Sequence, residues 1–103
     1  MKDNERGRKE KKGVRAMARE TRAPDLVAEV ASPDQYKPEM AAKAGISLEA
    51  GVRLVWIVWP STQTVEVWRP GSGAPIAALT VNDALDGLDV LLGFTYPLAA
   101  LFA

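Results

Sequence analysis

The stretch APDLVAEVASP, Ala23 to Pro33, decides how the chain is read. Pro24 has no N–H to give to a ladder and suits the first position of a strand. From Asp25 the residues alternate, with Leu26, Ala28 and Val30 on one side and Asp25, Val27, Glu29 and Ala31 on the other. A period of two is the pattern of a half-buried strand. Ser32-Pro33-Asp34 ends it, because the residue before a proline is pushed away from helix and Asp favours turns. Glu29 is the unusual member. An acid in mid-strand is either at a solvated edge or held for chemistry.

Downstream of this strand, the spacing predicts a helix over Pro38 to Ala50. Pro38 suits a first turn, and Glu39 complements the positive end of the helix dipole. Met40, Ala44 and Leu48 recur at helical spacing and form an apolar stripe with Ala41 beside it. Gly45 weakens the interior by about 1 kcal/mol relative to Ala, and Gly51 is a natural stop. Val52 to Trp59, VRLVWIVW, is nearly all β-branched or aromatic, which suits a strand covered on both faces. After the turn Pro60-Ser61-Thr62-Gln63, Thr64 to Arg69 alternates again with Val65 and Val67 inward, making a hairpin. A further turn, Pro70 to Gly73, leads to a short strand, Ile76 to Leu79. Val81 to Ala103 reads as an irregular wrap. Its Leu88, Val90, Leu91, Leu92, Phe94, Leu98, Leu101 and Phe102 are expected to pack under the sheet, ending in a short helical turn. Strand, helix, strand, strand, strand predicts an α/β (α+β) domain.

Composition narrows the chemistry. The chain has 103 residues, with no cysteine and no histidine. That excludes disulfides, Cys/His zinc sites, and Ser-His or Cys-His catalysis, so a metal would be held by oxygen. No apolar run is longer than Leu54 to Trp59, which is far too short to span a bilayer. No apolar segment follows the basic N-terminus as in a signal peptide, and a cytoplasmic protein is expected. Zero net charge hides an asymmetry. Residues 1–22 hold nine Lys/Arg and four acids, while the remainder holds four bases and nine acids. A basic stretch with so few apolar residues is expected to be a disordered tail, residues 1–22, ahead of a domain over 23–103. Such a tail is a solvated run or a nucleic-acid-binding arm.

PDLVAEVASP, a lysine on the following helix, AGVRLVWIVWP, TVEVWRP and LGFTYPLAALF together resemble the C-terminal half of the Uma-two family. The resemblance runs from about Ala23 to Phe102. It implies a restriction-endonuclease-like mixed sheet of the PD-(D/E)XK kind with one main helix after the first strand, incomplete at the N-terminus. It also implies Mg²⁺ or Mn²⁺ as cofactor and DNA as substrate. Glu29 takes the role of the mid-strand metal-binding acid. In the motif a lysine follows two residues after that acid, but Ala31 stands there. Lys43 on the helix, eight positions before Gly51, resembles its replacement. In the family a first acid comes from an earlier strand, and no family role falls on Asp3 or Glu5. Trp59 stands where the family commonly has Asp, and Ser47 where an aromatic is frequent.

The chemistry such a site needs is carboxylates gathered on a divalent ion that activates water and offsets charge at a phosphate. Asp25 shares a side of the strand with Glu29, but roughly 13 Å separates them along it, too far for both to ligate one metal. Asp25 is read as a residue at the strand start or an outer-shell group. Lys43 has an equally ordinary reading as a surface lysine. Trp56, Trp59 and Trp68 are read as packing residues rather than base-stacking ones. Gly71-Ser72-Gly73 is a turn without a following helix, not a phosphate loop. Asp83, Asp86 and Asp89 lack calcium-loop spacing. Two functions follow: a metal-dependent endonuclease acting through Glu29 and Lys43, or a truncated, inactive module that binds partners or forms a homodimer through an exposed sheet edge.

Overall fold

The computed structural model describes residues 22–103, so the tail expected over residues 1–22 lies outside the described residues except for Arg22. The chain runs β1 (Leu26–Val30), α1 (Lys37–Glu49), β2 (Leu54–Trp59), β3 (Thr64–Trp68), β4 (Ala77–Leu79), β5 (Ala84–Asp86), β6 (Thr95–Pro97) and α2 (Leu98–Leu101). One sheet has the order β1-β2-β3-β4, and β5-β6 form a separate pair. β1 lies parallel to β2, and the two hairpins β2-β3 and β3-β4 are antiparallel. This is the mixed α/β sheet with a helix after the first strand that the sequence predicts.

Alternation divides the core into two layers. Val55, Ile57, Trp59 and Trp68 project from one face of the sheet onto Met40 and Ala44 of α1, joined by Ala31, Val52 and the partly buried Val27 and Leu48. Leu54, Trp56, Val58, Val65 and Val67 project from the other face onto Leu85 and Leu98 of the C-terminal segment. All six residues of β2 are buried because one strand carries both layers. Each fully buried aliphatic side chain here is worth about 1.5–3 kcal/mol. All three tryptophans are buried in this packing, as the sequence reading expects.

The end of α1 shows how local chemistry sets the next strand. Ala50 caps the helix, and Gly51 adopts φ 111°, a conformation that favours glycine. The Gly51 N–H donates to the Leu48 carbonyl and the Val52 N–H to the Ser47 carbonyl, a Schellman closure. The chain therefore leaves the helix pointed back along the sheet and enters β2 beside β1.

Two expectations need correction. β3 does not present only Val65 and Val67 inward: Glu66 and Trp68 are buried as well, because α1 covers the opposite face. The C-terminal segment does pack against the sheet, through Leu85, Leu98, Val90 and Phe102. It does so with a two-stranded ribbon, however, and Leu88, Leu91, Leu92, Phe94 and Leu101 stay exposed. Gly87 sits under the Leu91 backbone where a Cβ would collide, and within this tight loop Leu88 is exposed while Val90 packs inward.

Candidate active site

Strand register puts two acids on one line across the sheet. Glu29 pairs with Ile57 across the β1-β2 ladder, and Glu66 pairs with Ile57 across β2-β3. With neighbouring strands about 4.8 Å apart, the two acids are roughly 10 Å from one another at Cα. Both stand on the face that carries α1, since Ile57 and Trp68 belong to that layer. The fully buried Ile57 separates them.

α1 crosses this line and gives it two flanks. On the β3 side, Lys37, Pro38 and Ala41 face Glu66, Trp68 and the Gly73–Pro75 loop across a cleft of about 290 Å³. Gly45, Leu48 and Glu49 line a second cleft on the same side, against Trp68 and Gly71. A helical residue turns about 100° from its predecessor, so Lys43 lies about 200° round from Ala41. That is the opposite flank, toward β1, where Glu29 stands.

The two flanks differ in how their charges are used. Glu66 is buried, at 9% exposure, and both oxygens are taken: Trp68 Nε1 donates to Oε1 at 3.1 Å and Lys37 Nζ to Oε2 at 2.8 Å. Lys37 also lies over the Trp59 ring, 4.9 Å from its centroid, in cation–π contact. On the β1 flank Glu29 is half-buried and Lys43 exposed. Among the described residues the ion pairs are Lys37–Glu66, Arg53–Asp25, Arg53–Asp89 and Arg69–Asp89, and neither Glu29 nor Lys43 enters one. Helical geometry turns Lys43 toward the β1 flank, and no described hydrogen bond or ion pair joins it to Glu29.

Asp25 lies where β1 begins. Its carboxylate is 3.7 Å from Arg53, and its backbone carbonyl accepts the N–H groups of Arg53 and Leu54. The C-terminal acids have local tasks. Asp83 accepts the Thr80 N–H, Asp86 accepts the Leu88 N–H, and Asp89 meets Arg69 at 2.8 Å. The Arg69 hydrogen bond is the chief cause that holds the Asp89 carboxyl below the ordinary carboxylate value, with a backbone N–H adding to it.

No three His, Cys, Asp or Glu side chains converge among the described residues. A divalent ion of the magnesium kind is held by one or two carboxylates with several waters and substrate phosphate, so Glu29 alone supplies at most part of a metal centre. The residues described here therefore do not by themselves fit a complete ion site.

Sequence reasoning missed Lys37 and Glu66. The signal was present in β2: a strand apolar on both faces requires its hairpin partner to be covered on both faces too, which places Glu66 inside. No helix among the described residues is long and apolar enough to cross a membrane.

Comparison with known proteins agrees with this architecture. The family model Uma2, described as "Putative restriction endonuclease", matches residues 2–100. A solved structure from Anabaena variabilis, described as a "putative nuclease belonging to DUF820", superposes with a TM-score of 0.65 at 24% identity. The similarity covers 80% of this chain and 45% of that one, so the chain spans less than half the length of that structure. No curated protein matches. With its residues matched nearly end to end, the chain belongs to the Uma-two family of restriction-endonuclease-like proteins.

Proposed function

We propose that this chain contributes the sheet-and-helix part of an endonuclease that hydrolyses DNA phosphodiesters. The observation that carries the reading is the β1 flank of α1. A half-buried carboxylate stands at mid-strand opposite the fully buried Ile57, on the flank to which Lys43 projects, with no described ion pair consuming either charge. A carboxylate retained at such a position carries a desolvation cost and needs a use.

In this reading Glu29 is one ligand of a divalent ion, Mg²⁺ or Mn²⁺, whose other ligands come from outside residues 22–103. Lys43 supplies a mobile positive charge with three donors, which can meet a phosphate oxygen on the same flank and offset its charge. Asp25, engaged with Arg53, serves the strand start and at most the outer shell. Family membership supports the reaction class, and the matched structure supports the fold that carries it.

The test is plasmid nicking by the full chain in Mn²⁺ or Mg²⁺, beside Glu29→Ala and Lys43→Met, with thermal melts of each. Metal-dependent nicking lost in Glu29→Ala, together with a metal-induced rise in melting midpoint that the variant lacks, supports the proposal. A cooperative melt indifferent to metal, with no nicking, overturns it. A second reading, a partner-binding or dimerising module, is favoured by β1, which pairs only with β2 among the described residues. Its outer edge is open to strand addition there. Sedimentation of the same sample separates the two, since a dimer without nicking supports the second.

A further inference from the structure

We propose that Lys37 and Glu66 act as a clamp that sets the position of α1 on the sheet, and through it the position of Lys43. They are positioning residues and not part of the reacting site. The consequence for Lys43 rests on the nuclease reading; the clamp itself does not.

Three observations carry this. First, the start of α1 has no other side-chain tie to the sheet among the described residues. Tyr36 occupies the N-cap without a side-chain cap hydrogen bond, a position where Ser, Thr, Asp or Asn normally satisfies a free N–H. Lys37 is the first helical residue, and Glu39 in the same turn complements the dipole without tying the helix to the sheet. Glu66 provides that tie to Lys37 at 2.8 Å.

Second, the helix has little apolar relief with which to lock its own roll. Of the side chains it turns to the sheet, Met40 and Leu48 are large, while Ala41 and Ala44 are small. Ridges of alanine slide with little penalty compared with interlocking leucines, so polar geometry decides the angle. A roll of about 20° moves a side-chain group at the helix rim by roughly 2 Å. Misplacement by about 1 Å is enough to cost a reaction about a hundredfold.

Third, the clamp is rigid at its sheet end. The Glu66 carboxylate is held by Trp68 Nε1 as well as by Lys37, and the Lys37 ammonium rests over Trp59. Glu66 is the sole buried charged residue among the described residues. The clamp and the Glu29–Lys43 flank sit on opposite sides of α1, about one strand either side of Ile57. An anchor on one side fixes the height and roll of the other.

The experiment is native-state hydrogen exchange on the full chain, comparing wild type with Glu66→Gln, Lys37→Met and Lys37→Arg. Gln keeps an acceptor for Trp68, and Arg keeps the charge and the donors. Exchange at the α1 amides from Met40 to Ala44 is expected to rise about tenfold in Glu66→Gln and Lys37→Met, with Lys37→Arg near wild type. The β2 amides should change less than about twofold. Equal acceleration in α1 and β2, or no acceleration in α1, overturns the clamp, as does Lys37→Arg behaving like Lys37→Met. If Glu66→Gln does not fold, Lys37→Met decides, because the Lys37 side chain is 67% exposed and its loss leaves no buried void. Where wild type nicks DNA, the clamp variants should lower kcat with KM little changed. Where wild type does not nick, the nuclease reading falls and the exchange data still judge the clamp.

Discussion

The two flanks of α1 hold the same pair of residue types and use them in opposite ways. On the β3 flank a glutamate is buried, both its oxygens accept from donors, and the lysine it pairs with also covers an aromatic ring. On the β1 flank a glutamate of the same sheet row stays half-buried, and Lys43, on the helix side turned away from Ala41, is exposed and makes no ion pair among the described residues. A carboxylate that serves the fold is saturated, because any unmet lone pair in the interior is costly. A carboxylate that serves binding must keep its lone pairs available, and so must sit where water can stand in. The difference follows from strand order: β3 is covered by α1 and followed by β4, whereas β1 has a neighbour on one side only among the described residues.

The contrast can be broken by experiment. Its largest consequence concerns activity: Glu29→Ala should reduce metal-dependent nicking to background while shifting stability by no more than about 0.5 kcal/mol, as expected for a site outside the core. A drop of several kcal/mol on melting would show that Glu29 serves the fold as Glu66 does. Lys43→Met should lower kcat about 10²–10³-fold, the scale for losing one charge-stabilising donor, again with an unchanged melt.

Glu66→Ala should reverse that pattern. Leaving the buried Trp68 Nε1 without its acceptor, and the exposed Lys37 without its partner, should cost about 1–3 kcal/mol, read as a fall of roughly 5–15 °C in midpoint. A loss below about 0.5 kcal/mol would place Glu66 with ordinary surface acids.

A smaller effect separates two tryptophans. Trp68→Phe removes a donor from Glu66 and should cost about 1–2 kcal/mol. Trp56 lies on the other face, where its buried Nε1 has no described partner and its ring stacks on Phe94 at 6.0 Å between centroids. Trp56→Phe removes an unmatched N–H and should change stability by under about 1 kcal/mol. The smallest effect is at Asp89. Its folded-state pKa is lowered, so what it contributes is present above the unfolded value near 4 and is lost as pH falls through the folded one. Asp89→Asn should lower the midpoint slightly at pH 7 and leave it unchanged once pH falls below the folded pKa, so the acid limb of a melt-against-pH curve flattens a little.

Much of this molecule is legible along the chain. The alternation of Leu26 to Val30, the stripe Met40, Ala44, Leu48, and the unbroken apolar run of β2 each reflect one element meeting one layer. Gly51 marks the end of the helix because few residues tolerate its backbone angle. The C-terminal segment reads less well. Its leucines fall at close intervals without a period, and Leu91 and Leu92 lie exposed beside a loop whose Gly87 leaves no room for a Cβ.

Local sequence alone determined that Glu29 is an acid in the middle of a strand and that Lys43 rides on the following helix, since both facts rest on short-range periodicity. Only the tertiary structure decided that Glu66 stands on the same row as Glu29, that α1 divides the two, and that Lys37 closes one of them. Those relations join residues 29 apart for Lys37 and Glu66, and they depend on strand register and helix roll. Register and roll are set by the packing of whole layers against one another, which no window of neighbouring residues contains.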